Sequence, residues 1–152
     1  MGEVAFVIAD DFEDTELRVP RDWIAARGHH VTIVGIKASV TVRGKRGALV
    51  NAEVVASEID PREIDALVIP GCYSPDRLRM HPDVVDLVRH VAREGRLVAA
   101  ICHGPSLMIE ADIVRDRTVT SWPSIRKDLE NAGATWIDES VVEDGNVITS
   151  RS

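Results

Sequence analysis

Short runs rich in Val, Ile and Ala recur along the chain between longer stretches whose apolar residues fall at helical spacing. Residues 4–9, 31–36, 65–71 and 96–101 are nearly continuous in apolar sequence instead of alternating. A strand buried on both faces has that pattern, so these runs predict a parallel sheet covered by helices on each side. Between the first two, "TELRVPRDWIAARG" puts Leu17, Trp23, Ile24 and Ala26 on one helical stripe, with Gly28 as its C-terminal cap and Pro20 in or near the first turns. "HPDVVDLVRHVAREG" predicts an amphipathic helix that closes at Gly95, and "GPSLMIEADIV" predicts another with Pro105 in its first turn, where a missing N–H costs nothing.

Residues 37–58 change character. Val alternates with polar residues and Gly44 and Gly47 interrupt, which predicts antiparallel hairpin structure at a sheet edge. Further on, "TVTSW" reads as a short strand, "SIRKDLENAGA" as a helix, and "SVVEDGNVITSR" as a hairpin turning at Asp144-Gly145-Asn146. This alternation predicts one α/β domain over residues 1–152, doubly wound and flavodoxin-like, with a mostly parallel sheet. A chain of 152 residues can bury one core with layers on both sides of a sheet and leaves no room for a second domain.

Charge narrows the partners. Against 18 Lys and Arg stand 25 Asp and Glu, a net charge of −7, so a broad phosphate-binding surface would oppose the protein's own field and nucleic acid is not expected. The N-terminal apolar run has no basic flank of the signal-peptide kind, and no run approaches the length of a membrane span. With two cysteines, Cys72 and Cys102, the expected compartment is reducing cytoplasm.

The chemistry concentrates in "LVAAICHGPSLM", where a buried strand runs into Cys102 and a helix begins almost at once. A residue between strand and helix is pushed out at the C-terminal edge of the sheet, where open α/β folds bind ligands. Ala100 and Gly104, two positions to either side, are the small neighbours that such a nucleophile elbow needs. The following helix dipole favours thiolate. The bland reading of Cys102 is a buried structural cysteine. His29, His30, His81 and His90 have no metal-ligand spacing, and there is no Walker loop and no G-x-G-x-x-G, so neither metal nor other cofactor is expected.

Several separated motifs carry a resemblance over nearly the whole chain: "FEDTEL", "ALVIPG", "SPDRLR", "AICHGP", "TSWPSIRKDLENAGATW" and "VVEDGNVITSR". Through them the chain resembles the PfpI-type intracellular protease family, within the glutamine-amidotransferase-like superfamily. The resemblance implies Cys102 as nucleophile, His103 as its catalytic partner, and Glu16 close to the thiol as proton donor or base. Taken alone, Glu16 reads as a solvated first-turn carboxylate. Asp76 in "SPDRLR" matches an acid that reaches across an oligomer interface to orient the histidine, so a dimer or hexamer of this chain is implied. The bland reading of Asp76 is helix N-terminal charge.

Where the family reads Pro-Gly-Gly, this chain has Pro70-Gly71-Cys72. The resemblance puts the oxyanion donors at Gly71 and Cys72 together with the amide of His103. Cys72 also brings a second thiol to the strand end, either as a tolerated small residue or as a redox partner of Cys102. The family's terminal helix after "VITSR" has no counterpart here, so a sheet face or groove is expected to be exposed. Three functions compete on these residues. The first is a cysteine hydrolase of peptides, the second a glyoxalase or deglycase acting on methylglyoxal or glycated groups, and the third a non-enzymatic redox-sensing or chaperone-like stress protein.

Overall fold

The computed structural model describes residues 1–152. In chain order the elements are β1 (Glu3–Val7), α1 (Asp14–Ala26), β2 (His30–Gly35), β3 (Thr41–Arg43), β4 (Leu49–Asn51), β5 (Val54–Val55), β6 (Ala66–Ile69) and α2 (Ser74–Leu78). They continue with α3 (Pro82–Arg93), β7 (Leu97–Ile101), α4 (Pro105–Glu110), β8 (Thr118–Val119), α5 (Arg126–Asn131), β9 (Thr135–Trp136), β10 (Val141–Asp144) and β11 (Val147–Ser150). Seven strands form the main sheet in the order β10-β11-β7-β6-β1-β2-β5. Every neighbouring pair is parallel except β10 with β11. This is the flavodoxin-like doubly wound architecture, with antiparallel pairing confined to the hairpins.

Both faces of the central strands are buried, which is why their sequences do not alternate. In β1, Ala5 and Val7 enter a large core with Leu67, Ile69, Val98 and Ala100, packed beneath Val84, Val88 and Val91 of α3 and Leu107 and Met108 of α4. Val4 and Phe6 point the other way, into a smaller core with Ile33, Val68, Phe12, Leu17 of α1, and Val42 of β3. On that second face the cover is partial. Leu97, Ala99 and Ile101 of β7 and Ile148 of β11 are only half-buried, whereas Val98, Ala100 and Val147 on the opposite face are fully buried.

Several expectations change in detail. Trp23 and Ala26 do not join Leu17 against the sheet: both are exposed, and Trp23 stacks under the Arg27 guanidinium, 3.2 Å from ring centroid to cation. The helix starts at Asp14 and continues through Pro20, which leaves the Glu16 carbonyl without its usual i+4 donor. "TVTSW" supplies only β8, which pairs with β9 in a separate two-stranded parallel sheet. The β3–β4 hairpin likewise forms its own two-stranded sheet, and β5, within the stretch read as antiparallel, joins the main sheet parallel to β2. The last hairpin turns on Gly145 and Asn146, since Asp144 pairs with Val147. No helix is long and apolar enough to cross a membrane.

Candidate active site

β7 ends at Ile101, and Cys102 turns the chain with a φ of 61°. That left-handed value costs a side-chain-bearing residue on the order of 1 kcal/mol and persists only where the surroundings fix it. Here they do: the Cys102 amide donates to the Ser150 carbonyl at 2.9 Å, and its own carbonyl accepts from the Trp122 amide at 2.9 Å. Gly104 completes the turn where no side chain fits. A Cβ there would lie 2.6 Å from the Ile69 carbonyl oxygen and 2.8 Å from the Ile101 nitrogen. Ala100 is buried below it.

Three groups converge on the sulfur. His103 Nδ1 lies 3.4 Å from Cys102 Sγ. The backbone amides of His103 and Cys72 face the sulfur and favour its charged form. Glu16, in the first turn of α1, accepts a 2.8 Å hydrogen bond from the Gly71 amide through Oε1. Gly71 is the hinge between them, because a Cβ on it would stand 2.7 Å from Glu16 Oε1 and 2.9 Å from the Cys102 Cβ. The Gly71 amide is therefore committed to the carboxyl and is not an oxyanion donor. The donors that face the sulfur are the two amides of Cys72 and His103.

The electrostatics run against the helix-dipole expectation. Burial, then the negative charge of Glu16, push the Cys102 thiol up to about 11, against smaller help from the two amides. α4 is only six residues long, so its dipole is a weak counterweight. Burial also raises the Glu16 carboxyl, partly opposed by the Gly71 hydrogen bond. His103 is pushed down by burial and by the ammonium of Lys45. At neutral pH the resting site thus holds a neutral imidazole beside a protonated thiol, with the nearby Glu16 carboxyl opposing thiolate formation.

A cleft of about 490 Å³ opens against Cys72 and His103, with Lys45, Tyr73, Asp76 and Ser106 among its walls. Asp76 enters it from α2 of the same chain. The hydrogen-bond partner of His103, however, is Ser124, whose Oγ lies 3.0 Å from Nε2. Lys45 stands at the tip of the β3–β4 hairpin, and that tip is pinned. Asp14 accepts from the amides of Arg46 at 3.0 Å and Ala48 at 2.9 Å, while Lys45 N donates to the Phe12 carbonyl at 2.8 Å. Neither Ser124 nor Lys45 stood out in the sequence: a serine in "WPSIRK" and a lysine in "RGKRG" have no local signature. No three His, Cys, Asp or Glu side chains gather as a metal centre. His29 and His30 lie at the opposite end of β1, against Gly2 and Glu3.

Fold and site together define a doubly wound α/β protein with a cysteine at a strained strand-to-helix elbow. The chain belongs to the DJ-1/PfpI family, whose model matches residues 2–152. It is 42% identical over 148 residues to a protein of Pyrococcus abyssi named a deglycase, covering 97% of this chain and 89% of that one. It is 41% identical over 149 residues to the deglycase PfpI of Pyrococcus furiosus, covering 98% and 89%. Among solved structures it superimposes with a TM-score of 0.98 and 40% identity on a two-domain protein of Anabaena variabilis that contains DJ-1/ThiJ/PfpI-like and ferritin-like domains. That match covers 100% of this chain but only 44% of the other. Drosophila melanogaster DJ-1beta matches with a TM-score of 0.91 at 27% identity, over 99% of this chain and 82% of that one.

Proposed function

We propose that this protein is a cysteine-dependent enzyme of the deglycase kind, which converts small α-oxoaldehydes such as methylglyoxal, free or as adducts, to hydroxy acids. One observation carries this reading: a carboxyl with a raised pKa, Glu16, is fixed beside the Cys102 sulfur by the Gly71 amide. A carboxyl raised in this way is better suited to donating a proton and taking one back than a solvated carboxylate is. The deglycase names of relatives more than 40% identical to this chain support the same reading.

In the proposed sequence Cys102 sulfur bonds to the aldehyde carbon, and the oxygen becomes a hydroxyl on a hemithioacetal, with the amides of His103 and Cys72 as donors to the developing oxyanion. Glu16 carboxylate removes the proton from that carbon to leave an enediol and returns it to the neighbouring carbon, while the hydroxyl proton passes from the first oxygen to the second, so that the first carbon becomes the thioester carbonyl and the second carries the hydroxyl. The product is a hydroxyacyl thioester. Water then releases the hydroxy acid and restores the thiol, so one aldehyde and one water give one acid. His103, neutral and 3.4 Å from the sulfur through Nδ1, carries the thiol proton away and returns it.

The test compares the wild type with Cys102→Ser and Glu16→Gln on methylglyoxal and on a fluorogenic peptide at matched oligomeric state. Hydroxy acid formed by the wild type, and lost by about 10²-fold or more in both variants, is the expected result. Equal turnover by wild type and Cys102→Ser would sink the proposal. So would cleavage of the peptide without conversion of methylglyoxal, which would return the site to the peptidase reading.

A further inference from the structure

Cys72 takes a φ of 63°, a conformation a glycine would adopt without strain, and yet this residue, in the wall of the cleft that His103 also lines, carries a thiol. Its neighbourhood fixes how close that thiol comes to the first. β6 and β7 are adjacent parallel strands with Ile69 paired to Ala100, and past their ends Gly71 stays against Cys102, since a Cβ on it would stand 2.9 Å from the Cys102 Cβ. Cys72 follows directly, and its backbone amide faces the Cys102 sulfur. The two cysteines are thus immediate neighbours at the sheet edge, the first requirement of a disulfide, which bridges Cα atoms no more than about 7 Å apart. Both cysteines are free and only half-buried.

We propose that Cys72 is a resolving thiol for Cys102, which makes the site a reversible two-thiol centre when a hydroperoxide reaches it. In the first step Cys102 sulfur attacks the peroxide O–O bond and becomes a sulfenic acid, and the alcohol or water leaves with the other oxygen. In the second, the Cys72 sulfur attacks the Cys102 sulfur, the S–S bond forms, and the sulfenic hydroxyl leaves as water with the Cys72 proton. The peroxide has accepted two electrons and the protein has lost two hydrogens. An external dithiol returns them by exchange. The consequence is protection, since a sulfur held in a disulfide is shielded from irreversible sulfinic and sulfonic oxidation. This inference stands apart from the proposed turnover of α-oxoaldehydes, because it needs only the two sulfurs.

Hydrogen peroxide in stoichiometric amounts, with the intact mass read after thiol alkylation, tests it on the wild type, Cys72→Ser and Cys72→Gly. Glycine removes the thiol and relieves the φ of 63°, so the second variant keeps the fold. The wild type is expected to lose the mass of two hydrogens, to resist alkylation at both cysteines, and to regain both thiols with dithiothreitol. Both variants are expected to add oxygen at Cys102 and to pass to the sulfinic acid several-fold faster than the wild type. Wild-type Cys102 reaching the sulfinic acid as fast as in Cys72→Gly, or a disulfide found only between chains, would overturn the proposal.

Discussion

His103 Nε2 and Ser124 Oγ are 3.0 Å apart, so the histidine at the elbow is held from within its own chain. With Nδ1 turned to the Cys102 sulfur, the serine fixes the ring's orientation. If that bond suffices, catalysis does not need a third group from a neighbouring subunit. Ser124→Ala is expected to lower kcat about tenfold, the worth of one such hydrogen bond, with little change in KM. Asp76→Asn, which removes the acid implied to cross an oligomer interface, is expected to cost less. Specific activity should also hold on dilution through any subunit dissociation. A loss on dilution, or a larger effect of Asp76→Asn, would assign the orienting role to the neighbour.

Glu16→Gln should separate thiol reactivity from catalysis. The Glu16 charge helps hold the Cys102 thiol up near 11, so the amide should increase the thiolate fraction and speed alkylation by iodoacetamide at pH 8 several-fold while turnover falls. Stability should respond as well. Glu16 has a raised pKa in the folded state, so above the unfolded value of 4.5 the native protein binds more protons than the unfolded chain, and stability falls as pH rises through the folded value. The same sign applies to Cys102 between 9.0 and about 11. Thermal melts of the wild type should decline through both windows. The Gln variant should lack the acid-side decline, and Cys102→Ser the alkaline one.

The elbow was legible in the sequence because its cause is local: a buried run, a small residue on either side of the cysteine, and a helix start with proline. Strand positions were legible for a similar reason, since double burial leaves a continuous apolar signature. Trp23 misled because helical spacing cannot say which edge of a stripe meets the sheet, and an exposed indole can take a guanidinium as its partner in place of the core. Ser124 and Lys45 were silent because their roles depend on loops from distant parts of the chain meeting at one sheet edge. The direction of the Cys102 shift depends likewise on tertiary structure. Residue types suggest a helix dipole, but burial and the nearness of Glu16 decide the outcome.

Lys45 offers a measurement of the local field. Its ammonium helps depress the His103 pKa, so Lys45→Met should raise it, by the sign of a removed like charge. The imidazole resonances of His103, followed by NMR across the acid range, should titrate at higher pH in the variant. If turnover needs the neutral imidazole, its acid limb should move the same way. The hairpin tip is held by Asp14 and backbone groups and not by the lysine side chain, so the melting temperature should be unchanged. An unshifted titration would mean that the ammonium is screened by solvent in the free protein.

Gly71 and Gly104 permit two close approaches that nothing else in the site could relieve. In Gly104→Ala the new methyl would sit within 3 Å of the Ile69 and Ile101 carbonyl oxygens, both backbone atoms of central strands that cannot rotate away. Overpacking of this kind costs about 1–3 kcal/mol, which for a domain of this size lowers the melting temperature by about 2–4 °C per kcal/mol. Gly71→Ala meets one backbone oxygen, that of Ile101 at 2.6 Å, and two groups of the site, Glu16 Oε1 and the Cys102 Cβ. The carboxyl can swing aside, so part of the strain should be released by breaking the 2.8 Å bond from the Gly71 amide. Gly71→Ala is therefore expected to lose less stability than Gly104→Ala and more activity per degree of melting temperature lost. A reversal of that order would show that the Glu16 carboxyl is held more firmly than its single hydrogen bond implies.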